Sequence, residues 1–181
     1  MSEFWRGRKV FVTGHTGFKG SWLCLWLHQL GAQVKGFSLP PPTQPNLFEA
    51  AGVANVATTI IGDIRDHARL ADELVAFAPD VVLHLAAQSV VLSAYENPLE
   101  TFSTNVVGTA SLLQAVVKLN ADHGIALPEA MGMVTWKVAD ILGLRDRGHL
   151  KTGLRADLVR FKVLGATPVI AAVWSQGERA F

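Results

Sequence analysis

Glycine recurs at every third position in Gly14-His15-Thr16-Gly17-Phe18-Lys19-Gly20, between the short apolar run Val10-Phe11-Val12 and a longer apolar stretch from Ser21 to Leu30. Strand, glycine loop, helix is the order that a phosphate-binding βα turn requires. Glycine at 14 permits a turn that a Cβ would block. Glycine at 17 lets the backbone approach a pyrophosphate, and glycine at 20 lets the helix pack close to the strand. The following helix aims unpaired N–H groups and the positive end of its dipole at the loop. The candidate cofactor loop is therefore Gly14, Thr16, Gly17, Phe18, Lys19 and Gly20. The spacing is Gly-x-x-Gly-x-x-Gly rather than the commoner Gly-x-Gly-x-x-Gly, and alone it also fits a glycine-rich turn with no ligand.

The rest of the chain continues the alternation. Lys9 to Thr13 reads as a strand, Phe18 to Leu30 as a helix closed by Gly31, and Gln33 to Phe37 as a second strand. In the usual dinucleotide pattern an acidic residue near the end of that strand holds the ribose hydroxyls, about 20 residues beyond the glycines. Here the segment is Lys35-Gly36-Phe37-Ser38-Leu39, so Ser38 is the candidate ribose ligand. The residues alone leave NAD versus NADP open. Pro40, Pro41, Pro42 and Pro45 impose an extended connection. A short helix is expected within Phe48 to Ala54, and a third strand over Val56 to Ile61 with Asp63 at its carboxyl end. Asp66 to Phe77 carries Leu70, Leu74 and Phe77 on one helical face. Val81 to Leu85 reads as a buried parallel strand, with His84 inside it as a satisfied core residue. Pro98 to about Ala121 reads as one long helix.

Composition narrows the classes of partner. With 16 basic and 15 acidic residues the net charge is +1, which gives no electrostatic argument for nucleic acid or an anionic membrane. The uncharged run from Val81 to Tyr95 is too short and too polar to span a bilayer. Arg6, Arg8 and Lys9 precede an apolar stretch that the glycines interrupt, which argues against a signal peptide. Cys24 is the only cysteine, so no intrachain disulfide can form, and a cytoplasmic address fits.

The segment Thr13 to Gly20 followed by Ser21-Trp22-Leu23 resembles the extended short-chain dehydrogenases, and more closely the CDP-glucose 4,6-dehydratases, sugar-nucleotide enzymes that use NAD. The resemblance runs on through Pro41-Pro42-Thr43, Asn46-Leu47-Phe48-Glu49, Asp63-Ile64-Arg65-Asp66, His84-Leu85-Ala86-Ala87-Gln88, Tyr95-Glu96-Asn97-Pro98 and Asn105-Val106-Val107-Gly108-Thr109, covering roughly residues 3 to 118. It implies NAD as cofactor, Asp63 at the adenine amino group and Ile64 beside the ring. It also implies that Leu85, Ala86, Ala87 and Gln88 line the nicotinamide ribose and pyrophosphate, and that Asn105 supports the site from its helix.

The family's chemistry needs a tyrosine with a lysine four residues later, the lysine lowering the tyrosine pKa. The one tyrosine, Tyr95, is followed at that spacing by Leu99, and no catalytic residue is assigned. Beyond residue 124 the resemblance changes. Leu127-Pro128-Glu129-Ala130, Gly143-Leu144, Asp146-Arg147-Gly148, Gly153-Leu154-Arg155-Ala156-Asp157-Leu158-Val159 and Val173-Trp174 resemble the C-terminal end of metal-dependent amidohydrolases, closest to a ribose methylphosphonate triphosphate diphosphatase. That family's His-x-His pair is missing among the six histidines, so no metal is assigned. Leu127 to Leu142 reads as a helix; Asp157 to Val163 and Val169 to Trp174 read as strands joined by a turn at Gly165-Ala166-Thr167-Pro168.

The expected fold class is α/β: a truncated Rossmann-like doubly wound parallel sheet with a C-terminal helix and a β-hairpin tail. Residues 1–121 form the NAD-binding portion, and residues 122–181 form an amidohydrolase-like segment that is not an independent domain. The expected partner is a nucleotide cofactor, with neither nucleic acid nor membrane. Half a doubly wound sheet leaves an open edge, so either the tail covers it or the chain forms a homo-oligomer. The alternative reading is a structural, self-associating protein with a relic glycine loop.

Overall fold

A computed structural model describes residues 2–164 and 167–180. In chain order it contains α1 (Ser2–Trp5), β1 (Lys9–Thr13), α2 (Phe18–Gln29), β2 (Gln33–Ser38), α3 (Leu47–Ala50), β3 (Thr58–Ile61), α4 (His67–Phe77) and β4 (Val81–His84). Then come α5 (Val91–Glu96), α6 (Pro98–Phe102), α7 (Gly108–His123), α8 (Leu127–Gly132), α9 (Trp136–Ile141), β5 (Leu158–Leu164), β6 (Thr167–Ser175) and β7 (Glu178–Arg179). The first four strands form one parallel sheet in the order β3-β2-β1-β4. After β3 the chain returns to the other side of β1, so the strand order reverses between β1 and β4. In open α/β sheets that switch point is where a ligand binds.

Alternation along β1 builds two cores. Val10 and Val12 point to one face, where they pack with Cys24 and Leu27 of α2 and with Val34 and Val81. Phe11 points to the other, where it meets Phe37, Leu70 and Leu74 of α4, and Leu112, Val116 and Leu119 of α7. Helices therefore cover both faces, and the doubly wound reading of the sequence holds.

The tail straddles the exposed edge of this sheet. Ala130 and Met133 are buried in the α4–α7 core, while Val138 and Ile141 pack against the α2 core on the opposite face. Between them the Val82 N–H, on the outer side of β4, donates to the Met133 carbonyl at 3.2 Å. The sequence predicts one helix over Leu127 to Leu142, whereas the structure breaks it at residues 133–135. A straight helix can face only one layer; the break lets the segment supply apolar side chains to both layers and an acceptor to the edge.

Other expectations are corrected in detail. The helix expected from Pro98 contains a wide π turn over Ser103–Val107, between α6 and α7. The short helix in Phe48 to Ala54 divides into α3 and a 3₁₀ turn at Val53–Asn55, with Gly52 in the left-handed region between them. Helix α5 and strand β7 lack a strong periodic signal and are not anticipated. The expected hairpin forms: β5 pairs antiparallel with β6, Leu158 opposite Trp174 and Leu164 opposite Thr167. Gly165 and Ala166 of the expected turn lie outside the described residues, while Thr167 begins β6. The three-stranded tail sheet, in the order β5-β6-β7, lies against α7 through β6, and Ala172 is buried.

Candidate cofactor cleft

A cleft of about 700 Å³ opens at the carboxyl ends of all four parallel strands. It gathers residues distant in sequence: the glycine loop after β1, Ser38 at the end of β2, Asp63 and Ile64 after β3, and Leu85 to Ala87 after β4. Of the residues singled out from the sequence, Gly14, Thr16, Gly17, Phe18, Lys19, Gly20, Ser38, Asp63, Ile64, Leu85, Ala86 and Ala87 line it. Gln88 and Asn105 do not; they form a brace behind the wall. Sequence reasoning missed Phe37, Leu39, Pro40, Pro42, Gly62, Ser89 and Thr104 on the lining. The signal for Pro40 and Pro42 was present, since a rigid segment leaving β2 must pass beside the ligand edge. Thr104 reaches the cleft from the π turn, which periodicity did not show.

The three glycines have different reasons. Gly14 has φ +76°, and a Cβ there would stand 2.7 Å from the Ala86 nitrogen. At Gly20 a Cβ would stand 2.1 Å from the Gly14 carbonyl oxygen, so this glycine lets α2 sit on the loop itself, not on the strand as the sequence reading had it. At Gly17 a Cβ would meet only the Gly14 oxygen, at 3.4 Å, an ordinary contact. Packing does not demand that glycine. What a bare backbone at 17 keeps open is the cleft. Gly17 is also the N-cap of α2, contributes no side-chain cap, and the first turn carries no acidic residue. The first-turn N–H groups of α2 are thus left for a ligand to satisfy. An uncapped helix start beside a bare loop fits a pyrophosphate.

Asp63 is held at the cleft by Arg65, whose Nε donates to both carboxylate oxygens at 2.9 and 3.0 Å and whose backbone N–H donates at 2.9 Å. Hydrogen bonds from the Arg65 side chain keep the Asp63 carboxyl below the usual carboxylate range. The start of α4 is capped instead by Asp66, which accepts from the Arg69 N–H at 3.2 Å. Asp63 therefore plays no part in capping α4.

A directed hydrogen-bond chain fixes the β4 wall. The Thr109 hydroxyl donates to the Asn105 carbonyl at 2.6 Å, so toward His84 Nε2, 3.0 Å away, its oxygen can only accept. His84 therefore carries its proton on Nε2, and Nδ1 accepts from the Thr13 hydroxyl at 2.6 Å. The Thr13 oxygen in turn accepts from the Leu85 and Ala86 N–H groups at 3.1 and 3.2 Å. At the far end of the wall, Asn105 Oδ1 accepts from the Gln88 N–H at 2.7 Å and Nδ2 donates to the Gln88 carbonyl at 2.9 Å. His84 is thus the satisfied core residue the sequence implied, and Asn105 braces the Gln88 backbone.

The family model described as GDP-mannose 4,6 dehydratase matches residues 11–130. The chain belongs to that family. Among relatives, the CDP-glucose 4,6-dehydratase of Salmonella typhimurium is 54% identical over 114 residues, which is 63% of this chain and 32% of that protein. The chain thus spans about a third of that relative's length. Two UDP-glucose 4-epimerase structures share the fold. The one from Stenotrophomonas maltophila, with bound NAD and formylated UDP-arabinopyranose, superposes with a TM-score of 0.57 at 31% identity, over 62% of this chain and 34% of that one. The one from Brucella ovis, in complex with NAD, gives 0.56 at 29% identity, over 63% of this chain and 33% of that one. Among the described residues of this dehydratase-family chain, no helix is long and apolar enough to cross a membrane.

His15 gives the GDP-mannose 4,6-dehydratase-family loop a pH dependence. Its ring is fully buried against Gly36 and edge-on to Phe48, and neither ring nitrogen has a hydrogen-bond partner. Burial lowers its pKa to about 4, with the backbone of Phe37 opposing part of the shift. Burial lowers that of His84 as well. Histidine in an unfolded chain titrates near 6.5. Below that pH the unfolded state binds more protons than the folded one, so stability falls on acidification. His15 alone contributes a slope of about 1.4 kcal/mol per pH unit from roughly pH 6.5 down to about 4. Denaturant melts across that range are expected to show this decline, with a shallower slope in the variant His15→Asn.

Proposed function

We propose that the cleft binds the nicotinamide dinucleotide NAD, and that the chain is the dinucleotide-binding portion of a sugar-nucleotide dehydratase of the CDP-glucose type, without the catalysis. The observation that carries this reading is the start of α2, uncapped over a bare Gly17 at the switch point of the sheet. The two epimerase structures with bound NAD support the choice of cofactor. In this reading the loop from Gly14 to Gly20 and the start of α2 hold the pyrophosphate, and Ser38 holds the adenosine ribose. Asp63 and Ile64 frame the adenine, and Leu85, Ala86 and Ala87 line the nicotinamide side. Gln88 and Asn105 keep that wall in place. Bound NAD would supply a hydride acceptor. The sequence offers no Tyr-x-x-x-Lys pair to move the sugar hydroxyl proton, so turnover is not expected. Residues 122–181, with their amidohydrolase resemblance, serve as a cover for the sheet edge rather than as a second site. A cytoplasmic address goes with this reading.

The test is a thermal melt with and without about 1 mM NAD. Binding at 100 times the dissociation constant stabilises the folded state by roughly 2.7 kcal/mol, which raises the melting temperature of a chain this size by about 5–10 °C. An unmoved cooperative transition counts against the reading.

A second reading, a self-associating structural protein, is favoured by one surface. Val91, Leu92, Tyr95, Leu99 and Phe102 on α5 and α6 are all exposed, with Val106 and Val107 continuing the patch. Sedimentation velocity distinguishes the two: concentration-dependent growth in size without any NAD response supports self-association as the main role.

A further inference from the structure

With α8 and α9 covering the parallel sheet, the tail sheet has an open edge of its own. Its outer strand β5 pairs with β6 on one side only. Among the described residues, no backbone hydrogen bond beyond that pairing involves residues 158–164. Alternate N–H and C=O groups of this seven-residue strand therefore line a free edge. The register slip opposite Arg160 and Phe161 falls on β6, where Ala171 is the extra residue, so β5 keeps a regular alternation. Leu158, Arg160, Lys162 and Leu164 thus share one face of the strand. Arg160, Lys162 and Leu164 are exposed, and neither cation has an ion-pair partner among the described residues. The surrounding charge is lopsided. Residues 145–164 carry six basic and two acidic side chains, and both acids are engaged, Asp146 by Arg147 and Asp157 by Arg155. The rest of the chain carries ten basic and thirteen acidic residues.

We propose that β5 is a docking edge for an extended acidic peptide, which adds as a fourth strand with two carboxylates at alternate positions, opposite Arg160 and Lys162. The free backbone groups of β5 supply the pairing, and charge selects the occupant. Carboxylates two positions apart in an extended chain lie on one face about 6–7 Å apart, the spacing of two cations at alternate positions of a strand. A second copy of β5 is selected against. Antiparallel pairing about Phe161 sets Arg160 of one copy opposite Lys162 of the other, twice over, and like charges directly opposite destabilise a ladder. Cations on an open edge guard against such pairing; the same two cations admit an acidic strand. Leu158 and Leu164 flank them symmetrically, so apolar residues two positions outside the carboxylates complete the match.

Fluorescence anisotropy of the full chain with the labelled, end-capped peptide Leu-Thr-Glu-Val-Glu-Thr-Leu tests this. At low salt it is expected to bind about tenfold more tightly than the same peptide with lysine for both glutamates, and the gap closes as salt is added. The double variant Arg160→Glu, Lys162→Glu reverses the order of the two peptides. N-methylation separates strand addition from simple charge attraction, because only one alternate set of peptide amides faces β5. Methylating either the Thr, Val and Thr amides or the two Glu amides is expected to weaken binding at least about tenfold, while methylating the other set leaves it within about threefold. Equal effects of the two sets, equal affinity for the glutamate and lysine peptides, or no binding at about 1 mM peptide overturns the proposal. So does a dimer in sedimentation velocity that Arg160→Glu strengthens, since β5 then pairs with its own copy. Should the double variant fail to fold, the methylated peptides on the wild-type chain decide the matter.

Discussion

Gly20→Ala is expected to weaken NAD binding by at least about a hundredfold and to lower the melting temperature by about 2–12 °C. The added methyl would stand 2.1 Å from the Gly14 carbonyl oxygen, 2.7 Å from the His15 Cα and 2.8 Å from the Gly14 carbonyl carbon. All three are backbone atoms, so no side chain can turn aside; the loop must move off α2 or the helix must lift from the sheet. Overpacking of this kind costs about 1–3 kcal/mol, and each kcal/mol is worth about 2–4 °C in a chain of this length. The affinity falls because the same movement displaces the N–H groups that would meet a phosphate. Gly17→Ala separates the two effects. Its methyl meets only the Gly14 oxygen at 3.4 Å, so the melting temperature is expected to stay within about 2 °C of wild type. The methyl intrudes on the cleft, and binding is expected to fall about tenfold or more. Melts and titrations of both variants check this pair. Equal losses of stability in the two would show that the loop relaxes freely, and that bare backbone at 17 has no special purpose.

Why Gly14 and Gly20 are required was only partly legible in the sequence. Strand, loop and helix follow from local apolar period and glycine punctuation, and the parallel sheet follows from the alternation of strands with helices. That is why β1, α2, β2, α4 and β4 fall within a residue or two of the reading. The particular neighbour each glycine touches is a tertiary fact: Ala86 lies against Gly14 because β4 pairs with β1, which no local window contains. The same holds for the brace. Thr13, His84, Asn105 and Thr109 read separately as a strand end, a core histidine and two helix positions. Only the register Thr13 opposite His84, together with the π turn carrying Asn105, makes them one hydrogen-bond chain. Ser38 was visible as a missing acid, but its contact with the Thr16 hydroxyl at 2.8 Å was not. The break in the tail helix was hidden for a related reason. Apolar residues from Leu127 to Leu142 fit one helix well, and the need to serve both faces of β4 appears only when the edge is in place.

That edge gives the second large effect. A chain ending at Gly124 is expected to lose cooperative unfolding, even though it retains every residue that lines the cleft. Deletion removes Ala130 and Met133, 0% and 4% exposed, from beside Val82, Val116 and Leu119. It also removes Val138 and Ile141 from the opposite layer and the acceptor of the Val82 N–H. Full burial of a large apolar side chain such as Met133 contributes about 1.5–3 kcal/mol; with the partly buried Val138 and Ile141 and the lost edge hydrogen bond, the loss approaches the lower end of an ordinary domain's stability, about 5 kcal/mol. Met133→Asp places the same demand on one residue: an unpaired carboxylate at a buried site on the sheet edge, expected to cost about 3–5 kcal/mol. By contrast, a chain ending at Lys151 keeps α8 and α9 and loses only the tail sheet, which touches the rest chiefly through β6 and α7. Its transition is expected to remain cooperative. Circular dichroism melts of the three variants check this. If the cut after Gly124 melts as sharply as the wild type, the parallel sheet is self-sufficient and the tail is not its cover. If the cut after Lys151 is the one that abolishes the transition, the covering function belongs to the tail sheet and not to the broken helix at the edge.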